Sequence, residues 1–300
     1  MLTPAIDRYL ELRRALGHKL ETSEVMLRSF ARHAQTRGET RVTSTSALVW
    51  AAQTLTARQR AKRLTVLIGL ARFLHAEDPL HEVPPRTVAC PTPPRPLPYI
   101  FSGEEIRRLG HAANQLPPRR SLRPLTFSTL FSLLAVTGLR ISEALELRMN
   151  DFTRDGLIVR ETKFHKSRLV PLHESTVAAL TRYLERRQRL ATLTDHIFVS
   201  LKRTPLCYAT AYRTFRLLCA NIGLSSSPQV RLHDLRHTVA VRALEACPQD
   251  RDQVTPHILA LSTYLGHASL RGTYWYLQTT PQLLRDIADA AEGWMNGGPR

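Results

Sequence analysis

The chain has 300 residues, of which 43% are hydrophobic, and a mean hydropathy of −0.21, which predicts a folded protein with a buried core. A wholly disordered or fibrous chain is excluded. Lysine and arginine number 42 against 25 acidic residues, a formal net charge of +17, so we expect a polyanionic partner such as nucleic acid.

The apolar residues are not concentrated in a membrane-spanning segment. The longest apolar stretch, residues 125–139, includes five serines and threonines and is shorter than the roughly 20 residues that a spanning helix needs. The N-terminus lacks the basic start and apolar run of a secretion signal. The four cysteines lie far apart without a CxxC pair, which predicts reduced thiols. We therefore expect a cytoplasmic protein without a membrane partner.

The first 80 residues predict helices throughout. Apolar residues recur at helical spacing over residues 2–16 and 25–34, and a Thr/Ser cluster at 43–46 can cap a third helix. A fourth helix is predicted from 57 to about 76. Its first turns carry four basic residues that form either a solvated face or a DNA-contacting surface. They are Arg58, Arg60, Lys62 and Arg63.

A proline-dense segment divides the chain. Seven prolines between positions 84 and 98 exclude a helix or a central strand and predict an extended, semi-rigid linker. The sequence therefore predicts an N-terminal helical domain over 1–82, a linker over 83–100 and a second domain over 101–300.

The second domain is predicted to be mainly helical with a small β-sheet. A capping box, Ser102 to Glu105, begins its first helix, and a buried helix follows over about 124–137. Two β-rich runs within 156–172 bracket a polar turn, which predicts a β-hairpin with Lys163 at its tip. Further helices are predicted over 173–190, 208–222, 233–246, 256–265 and 281–294.

Five short motifs follow one another in this domain, and each alone is weak, since most arginines are surface cations and most tyrosines are packing residues. The motifs are Thr137-Gly-Leu-Arg140-Ile-Ser-Glu143, Lys163 in the hairpin, His233-Asp-Leu-Arg236-His237, Leu265-Gly-His267, and Tyr276 nine residues after that histidine. Together they resemble the motifs of the tyrosine recombinase, or phage integrase, family, and the resemblance covers the whole chain.

The chemistry of such a site is consistent with these residue types. A tyrosine can form a covalent phosphoester with a cut DNA strand. The attacked phosphate gains negative charge, which two arginines, Arg140 and Arg236, can neutralise. His233 lies one helical turn before Arg236, so both can reach one phosphate. We expect His267 to donate a further hydrogen bond, Lys163 to protonate the leaving 5′ oxygen, and Glu143 to orient an arginine or histidine.

Three assignments have alternatives. Tyr274 competes with Tyr276 as nucleophile, but the family's nine-residue step from His267 selects Tyr276. Lys166 competes with Lys163, and the register of the RLVPL strand favours Lys163. His233 and His237 have the spacing of a metal pair, but no third ligand is obvious, so neither a metal nor a cofactor is expected and His237 is interpreted as a packing residue.

The resemblance also implies partners and architecture. It implies a two-domain, C-shaped clamp on double-stranded DNA, acting as a homo-tetramer on paired sites or as a hetero-oligomer with sister recombinases, in a nucleoid-associated complex. Lys166 and Arg168 join the basic residues expected to contact DNA. A long interval between Arg236 and His267 is similar to that of recombinases carried by transposons and other mobile elements. The helix at 283–295 is expected to pack either on a neighbouring protomer or on its own domain.

The implied activity is site-specific DNA recombination through a 3′-phosphotyrosyl intermediate, in integration, excision or transposition. Two other functions remain open at this stage. A catalytically silent DNA-binding subunit would lack at least one member of the motif set, and none is missing. A type IB-like topoisomerase would use the same tyrosine chemistry without exchanging strands between two sites.

Overall fold

A computed structural model describes residues 2–18, 20–85, 97–160, 167–190, 194–224, 230–247 and 251–266, together with residues 273, 276 and 292. The chain forms two compact units, Met1–Pro96 and Leu97–Arg300. Most of the proposed linker, Lys163 and the helix expected at 283–295 lie outside the described residues, apart from position 292. In the described part, no helix is long and apolar enough to cross a membrane.

The described residues of the N-terminal unit form four helices, as predicted. Threonine hydroxyls cap two of them, because Thr43 Oγ1 accepts from the backbone N–H of Ser46 and Thr56 Oγ1 from that of Gln59. Their apolar faces share one core around Phe30 and Trp50. The helices are α1 (Leu2–Ala15), α2 (Glu21–Thr36), α3 (Ser44–Ala52) and α4 (Ala57–Glu77).

The C-terminal unit is mainly helical with one small antiparallel sheet, which confirms the predicted fold class. Side chains of Phe101, Phe131 and Phe215 stack edge-to-face in its core. The predicted capping box of Ser102 and Glu105 begins the first helix. The helices are α5 (Gly103–Asn114), α6 (Arg123–Thr137), α7 (Ile141–Glu146), α8 (Glu174–Gln188), α9 (Tyr208–Asn221), α10 (Leu232–Glu245) and α11 (Arg251–Leu265).

The sheet has one strand more than the predicted hairpin. Its order is β1 (Phe152–Thr153), β2 (Gly156–Val159) and β3 (Arg168–Val170), with both pairs antiparallel. Leu157 pairs with Phe152 on one side and with Val170 on the other. The two residues of β1 are too few to produce an alternating pattern, so the sequence does not indicate them.

Helix α11 differs from its predicted range. It begins at Arg251, five residues before the predicted start at Pro256, and this proline lies inside the helix. Sequence rules place proline in the first helical turn, whereas here Asp252 is in that turn and complements the helix dipole. Most of the long interval between Arg236 and His267 is therefore helical, formed by the end of α10 and by α11. The candidate site lies at the C-terminal end of α11.

Candidate active site

The turn after α6 places Arg140 at the start of α7. Gly138 ends α6 in the left-handed conformation, with φ of 62°. A Cβ atom at this glycine would lie 3.0 Å from Leu265 Cδ2 and 3.2 Å from Val239 Cγ1, so a larger residue would press against both neighbouring helices. Glycine here lets α6, α10 and α11 approach one another, and the chain then presents Arg140 at the N-cap of α7.

Three arginines meet at the C-terminal end of α11. Each comes from a different element, and each donates a hydrogen bond to a different backbone carbonyl there, where the helix dipole is negative. We call Arg140, Arg168 and Arg236 the arginine cluster. The bonds join Arg168 Nε to Tyr264 O at 2.9 Å, Arg236 Nη2 to Leu265 O at 2.6 Å, and Arg140 Nη2 to Gly266 O at 3.0 Å.

Glu143 connects two members of the cluster. Its Oε1 accepts from Arg140 Nη1 at 2.6 Å, and its two oxygens accept from Arg168 Nη1 and Nη2 at 3.1 and 2.7 Å. Burial alone would raise the pKa of Glu143, but the hydrogen bonds from Arg168 and from the backbone N–H of Arg140 hold it below its ordinary value. The carboxylate is therefore charged at neutral pH and fixes both guanidinium groups.

Arg236 is the most deeply buried member, with 2% of its surface exposed. Besides Leu265 O, it donates from Nη1 to Gly138 O at 2.7 Å. Burial, aided by the charge of Arg140, lowers the pKa of Arg236 to about 10. The side chain stays protonated at neutral pH, and its fork is held by carbonyls of both neighbouring turns.

Helix α10 carries His233 and Arg236 one turn apart. Arg231 is the N-cap of the helix, and the carboxylate of the fully buried Asp234 accepts from its backbone N–H and its guanidinium. His233 is exposed, whereas Arg236 is buried. Its ring lies edge-on to that of His237, with 4.5 Å between centroids.

Tyr276 is buried next to the same helix. It is 2% exposed and packs in an apolar cluster with Val241, Leu244 and Leu265. Its hydroxyl lies 2.9 Å from Nδ1 of His237, whose own exposure is also 2%. The interpretation of His237 as a packing residue is therefore incomplete, because its ring is hydrogen-bonded to the expected nucleophile.

Of the remaining expected site residues, the structure describes only some. Lys163, Lys166, His267 and the alternative nucleophile Tyr274 lie outside the described residues. Arg168, expected to contact DNA, has 10% of its side chain exposed and faces Glu143. Among the described residues, no three His, Cys, Asp or Glu side chains come together as a metal site would require.

The basic residues at the start of α4 differ in exposure. Arg58 and Lys62 are exposed, and Arg60 is half-buried. Arg63 donates to Trp50 O at 2.8 Å, and its guanidinium lies 4.7 Å from the centre of the Trp50 ring. These two contacts hold the guanidinium against a core residue of the N-terminal unit.

Two features of the site escaped the sequence analysis. One is the place of Arg168 in the arginine cluster, and the other is the contact between His237 and Tyr276. The glycine at position 266 is a sequence signal for the place of Arg168, since a Cβ there would lie 2.5 Å from Arg168 Nη1. That signal becomes visible only when the position of the strand is known.

The chain is similar to known recombinases in sequence and in fold. Residues 100–282 match the Phage integrase family. The chain is 39% identical over 299 residues to an integrase/recombinase of Sinorhizobium fredii, y4rB, with 94% of both proteins covered. It is 31% identical over 242 residues to the tyrosine recombinase XerC of Myxococcus xanthus, with 77% of this chain and 75% of XerC covered.

Two solved structures share the fold. The Tn1549 transposon integrase in complex with transposon right end DNA has a TM-score of 0.69 at 16% identity, with 95% of this chain and 98% of that chain covered. The XerH recombinase bound to a difH substrate has a TM-score of 0.68 at 19% identity, with 91% and 80% covered. From its sequence matches, the chain belongs to the phage integrase family and is a tyrosine-type site-specific recombinase.

Proposed function

We propose that this recombinase serves a mobile element, that its partner is double-stranded DNA, and that the arginine cluster and Tyr276 form the centre of its cleavage site. One observation carries the assignment of the site. Arg140 and Arg236, separated by 96 positions in the chain, both donate to carbonyls at the C-terminal end of α11, where Leu265 shares an apolar cluster with Tyr276. A scissile phosphate between these arginines would meet two fixed positive charges.

The proposed reaction exchanges one phosphoester for another. Tyr276 Oη attacks phosphorus, an O–P bond to the 3′ phosphate forms, and the bond to the 5′ oxygen breaks. Arg140 and Arg236 neutralise the charge that develops on the non-bridging oxygens. His233 and His267 donate further hydrogen bonds, and Lys163 protonates the departing 5′ oxygen. Attack by a 5′ hydroxyl on the tyrosyl ester rejoins the strand.

Glu143 acts in this proposal as a positioning residue. Its carboxylate holds Arg140 from one side while Gly266 O holds the same guanidinium from the other. An arginine fixed by two partners needs no reorganisation when charge develops on the phosphate, and this is the property that makes an electrostatic site effective.

Binding of the duplex rests on the net charge of +17. We propose that Arg58, Arg60, Lys62 and Arg63 contribute phosphate contacts from the N-terminal unit, and that Lys166 contributes from the hairpin. The Tn1549 transposon integrase has been solved in complex with transposon right end DNA, and lambda integrase, at 19% identity, as a tetramer bound to a Holliday junction. These relatives support a tetramer on paired sites, built either from this chain alone or with sister recombinases.

Covalent trapping tests the proposal. A binding sequence is first selected from a random duplex library with the full chain and then made with a nick beside the scissile phosphate. Cleavage releases a short strand, so the protein–DNA adduct accumulates. We expect Tyr276→Phe to abolish the adduct and to leave DNA affinity nearly intact, because only one oxygen is lost.

Two comparisons make this test decisive. Tyr208→Phe, at an exposed tyrosine of α9, is the matched control and should form the adduct normally. An adduct that persists in Tyr276→Phe and disappears in Tyr274→Phe would overturn the nucleophile assignment. Absence of any adduct in the unsubstituted chain would favour a silent DNA-binding subunit, and cleavage without strand exchange between two sites would favour a topoisomerase.

A further inference from the structure

The environment of the Tyr276 hydroxyl contains a group that has no role in the reaction as described above. His237 follows Arg236 on α10, and its Nδ1 lies 2.9 Å from Tyr276 Oη. The two ring centroids are 5.3 Å apart at an interplanar angle of 60°, so this is an edge contact through the hydrogen-bonding atoms and not a ring stack. Both side chains are 2% exposed.

The proposed reaction requires that the phenol lose its proton. An ordinary tyrosine has a pKa of about 10, so only about one in a thousand would be ionised at pH 7. A base that removes this proton must lie within about 2.6–3.2 Å of the hydroxyl and should have a pKa near neutral pH. Among side chains, imidazole has the ordinary pKa that is nearest to neutral. His237 satisfies the distance requirement in the structure.

The pair lies in an apolar environment with charged groups nearby. Tyr276 packs among Val241, Leu244 and Leu265, and both side chains of the hydrogen bond are 2% exposed, so water has little access to it. His233 and Arg236 on α10 and Tyr264 on α11 are titratable or charged groups near this pair, and the charge of Arg236 interacts with Tyr276.

We propose that His237 is a catalytic residue, which accepts the phenol proton of Tyr276 at Nδ1 during cleavage and returns it during religation. The inference rests on the proposed function. In the forward step the O–P bond forms, the bond to the 5′ oxygen breaks, and the proton moves from Oη to Nδ1. The role requires the tautomer with hydrogen on Nε2, so that Tyr276 donates and His237 accepts. His233, which is exposed, keeps its place on the phosphate.

The first test is the pH profile of single-turnover cleavage on the nicked substrate at saturating DNA. His237→Asn keeps a hydrogen-bonding group near the phenol but cannot take up its proton. We expect cleavage at neutral pH to slow by about 10²–10⁴-fold with DNA affinity unchanged. The unsubstituted protein should reach a plateau near neutral pH, whereas the variant should keep accelerating toward the ordinary phenol pKa of about 10.

A chemical rescue separates proton transfer from structural support. A fluorinated tyrosine in place of Tyr276 has a more acidic phenol, which ionises with less help from a base. It should restore most of the cleavage rate of His237→Asn and none of the rate of Arg140→Ala, because the phosphate charge still develops in the latter. His257→Asn on α11, where the ring contacts Ala243 O, is the matched control and should behave as the unsubstituted protein.

A second measurement needs no histidine variant and applies if His237→Asn fails to fold. In a protein with His237 intact, the alkaline-rising limb of the pH profile should stay in place when Tyr276 is fluorinated, because the limb reports the base. A limb that moves with the acidity of the phenol would overturn the proposal.

Two other outcomes would also overturn it. They are normal cleavage by His237→Asn, and faster cleavage, which would mean that His237 restrains Tyr276. If Tyr276→Phe still abolishes the adduct in either case, only this inference fails and the proposed function stands. If Tyr276→Phe retains the adduct, the proposed function itself fails.

Discussion

Two regions of the molecule use arginine in opposite ways. In the arginine cluster, the end of α11 supplies a backbone carbonyl to each guanidinium, and Glu143 holds two of the three. At the start of α4, Arg58 and Lys62 are exposed, and Arg63 lies against a tryptophan ring. In the first region every guanidinium is hydrogen-bonded to the protein, and Arg236 is buried, Arg168 has 10% of its side chain exposed and Arg140 has 32%. The second region is largely in water.

This difference predicts a division of labour between the two regions. A charge fixed in a water-poor site interacts strongly with charge that develops on a substrate, and its effect is on rate. An exposed charge is screened by salt, and its effect is on affinity, through release of counterions from DNA. Cluster variants should therefore change cleavage, and variants at the start of α4 should change binding.

The largest effect is expected for Arg140→Ala. The substitution removes a guanidinium that Glu143 and Gly266 O hold in place, and it leaves the exposed basic residues intact. We expect single-turnover cleavage to fall about 10²–10³-fold, the loss typical for one donor to a developing oxyanion. DNA affinity, measured in parallel by equilibrium binding, should change little.

A substrate with an uncharged scissile group tests whether Arg140 acts by neutralising the phosphate. With a methylphosphonate at the scissile position, one negative charge is absent and the need for Arg140 decreases, so the variant should regain much of its rate. Arg148→Ala is the matched control, since Arg148 is exposed and pairs with Asp195. A loss of affinity without a loss of rate in Arg140→Ala would contradict the division of labour.

A smaller effect is expected for Arg168→Gln. Arg168 is 10% exposed and bonded to both oxygens of Glu143, so we expect it to act on the phosphate through Glu143 and Arg140. Loss of such an orienting partner typically reduces activity by about 10–100-fold, and we expect the lower end at saturating DNA. Glu143→Gln should reduce cleavage similarly, and the double variant should be far from additive because the two residues share one network.

The alternative for Arg168 has a different signature. If Arg168 contacts DNA, as the sequence suggested, Arg168→Gln should weaken binding and lower the salt dependence while the rate at saturating DNA stays constant. Additive effects of the two substitutions would likewise separate Arg168 from Glu143.

The helices and the central motifs could be predicted from sequence because their signals are local. Apolar spacing, the Thr/Ser cluster at 43–46 and the capping box at Ser102 indicate helix starts, and the fixed order of motifs indicates Arg140 and Arg236. Both are in the arginine cluster, where the left-handed turn at Gly138 lets α6, α10 and α11 approach.

The missed features depend on tertiary contacts between distant residues. Arg168 and Glu143 are 25 positions apart, and His237 and Tyr276 are 39 apart, so no spacing rule connects them. The sequence analysis interprets His237 as a packing residue because no third ligand completes a metal pair with His233, and the strand that carries Arg168 is three residues long. A basic side chain in so short a strand looks like a surface residue until the end of α11 is seen to lie against it.

The smallest effect on the reaction is expected for the double variant Arg58→Gln with Lys62→Gln, at two exposed basic residues in the first turns of α4. If each contacts one phosphate, the slope of log affinity against log salt should decrease by about 2, with a uniform loss of affinity across DNA sequences. Cleavage at saturating DNA should be unchanged, because neither side chain belongs to the arginine cluster. The pair Arg32→Gln with Arg72→Gln removes the same charge from exposed positions of the same unit and serves as the control. An equal decrease of the slope in the control would mean that the start of α4 is a solvated face, and that the N-terminal unit contributes charge without a defined contact.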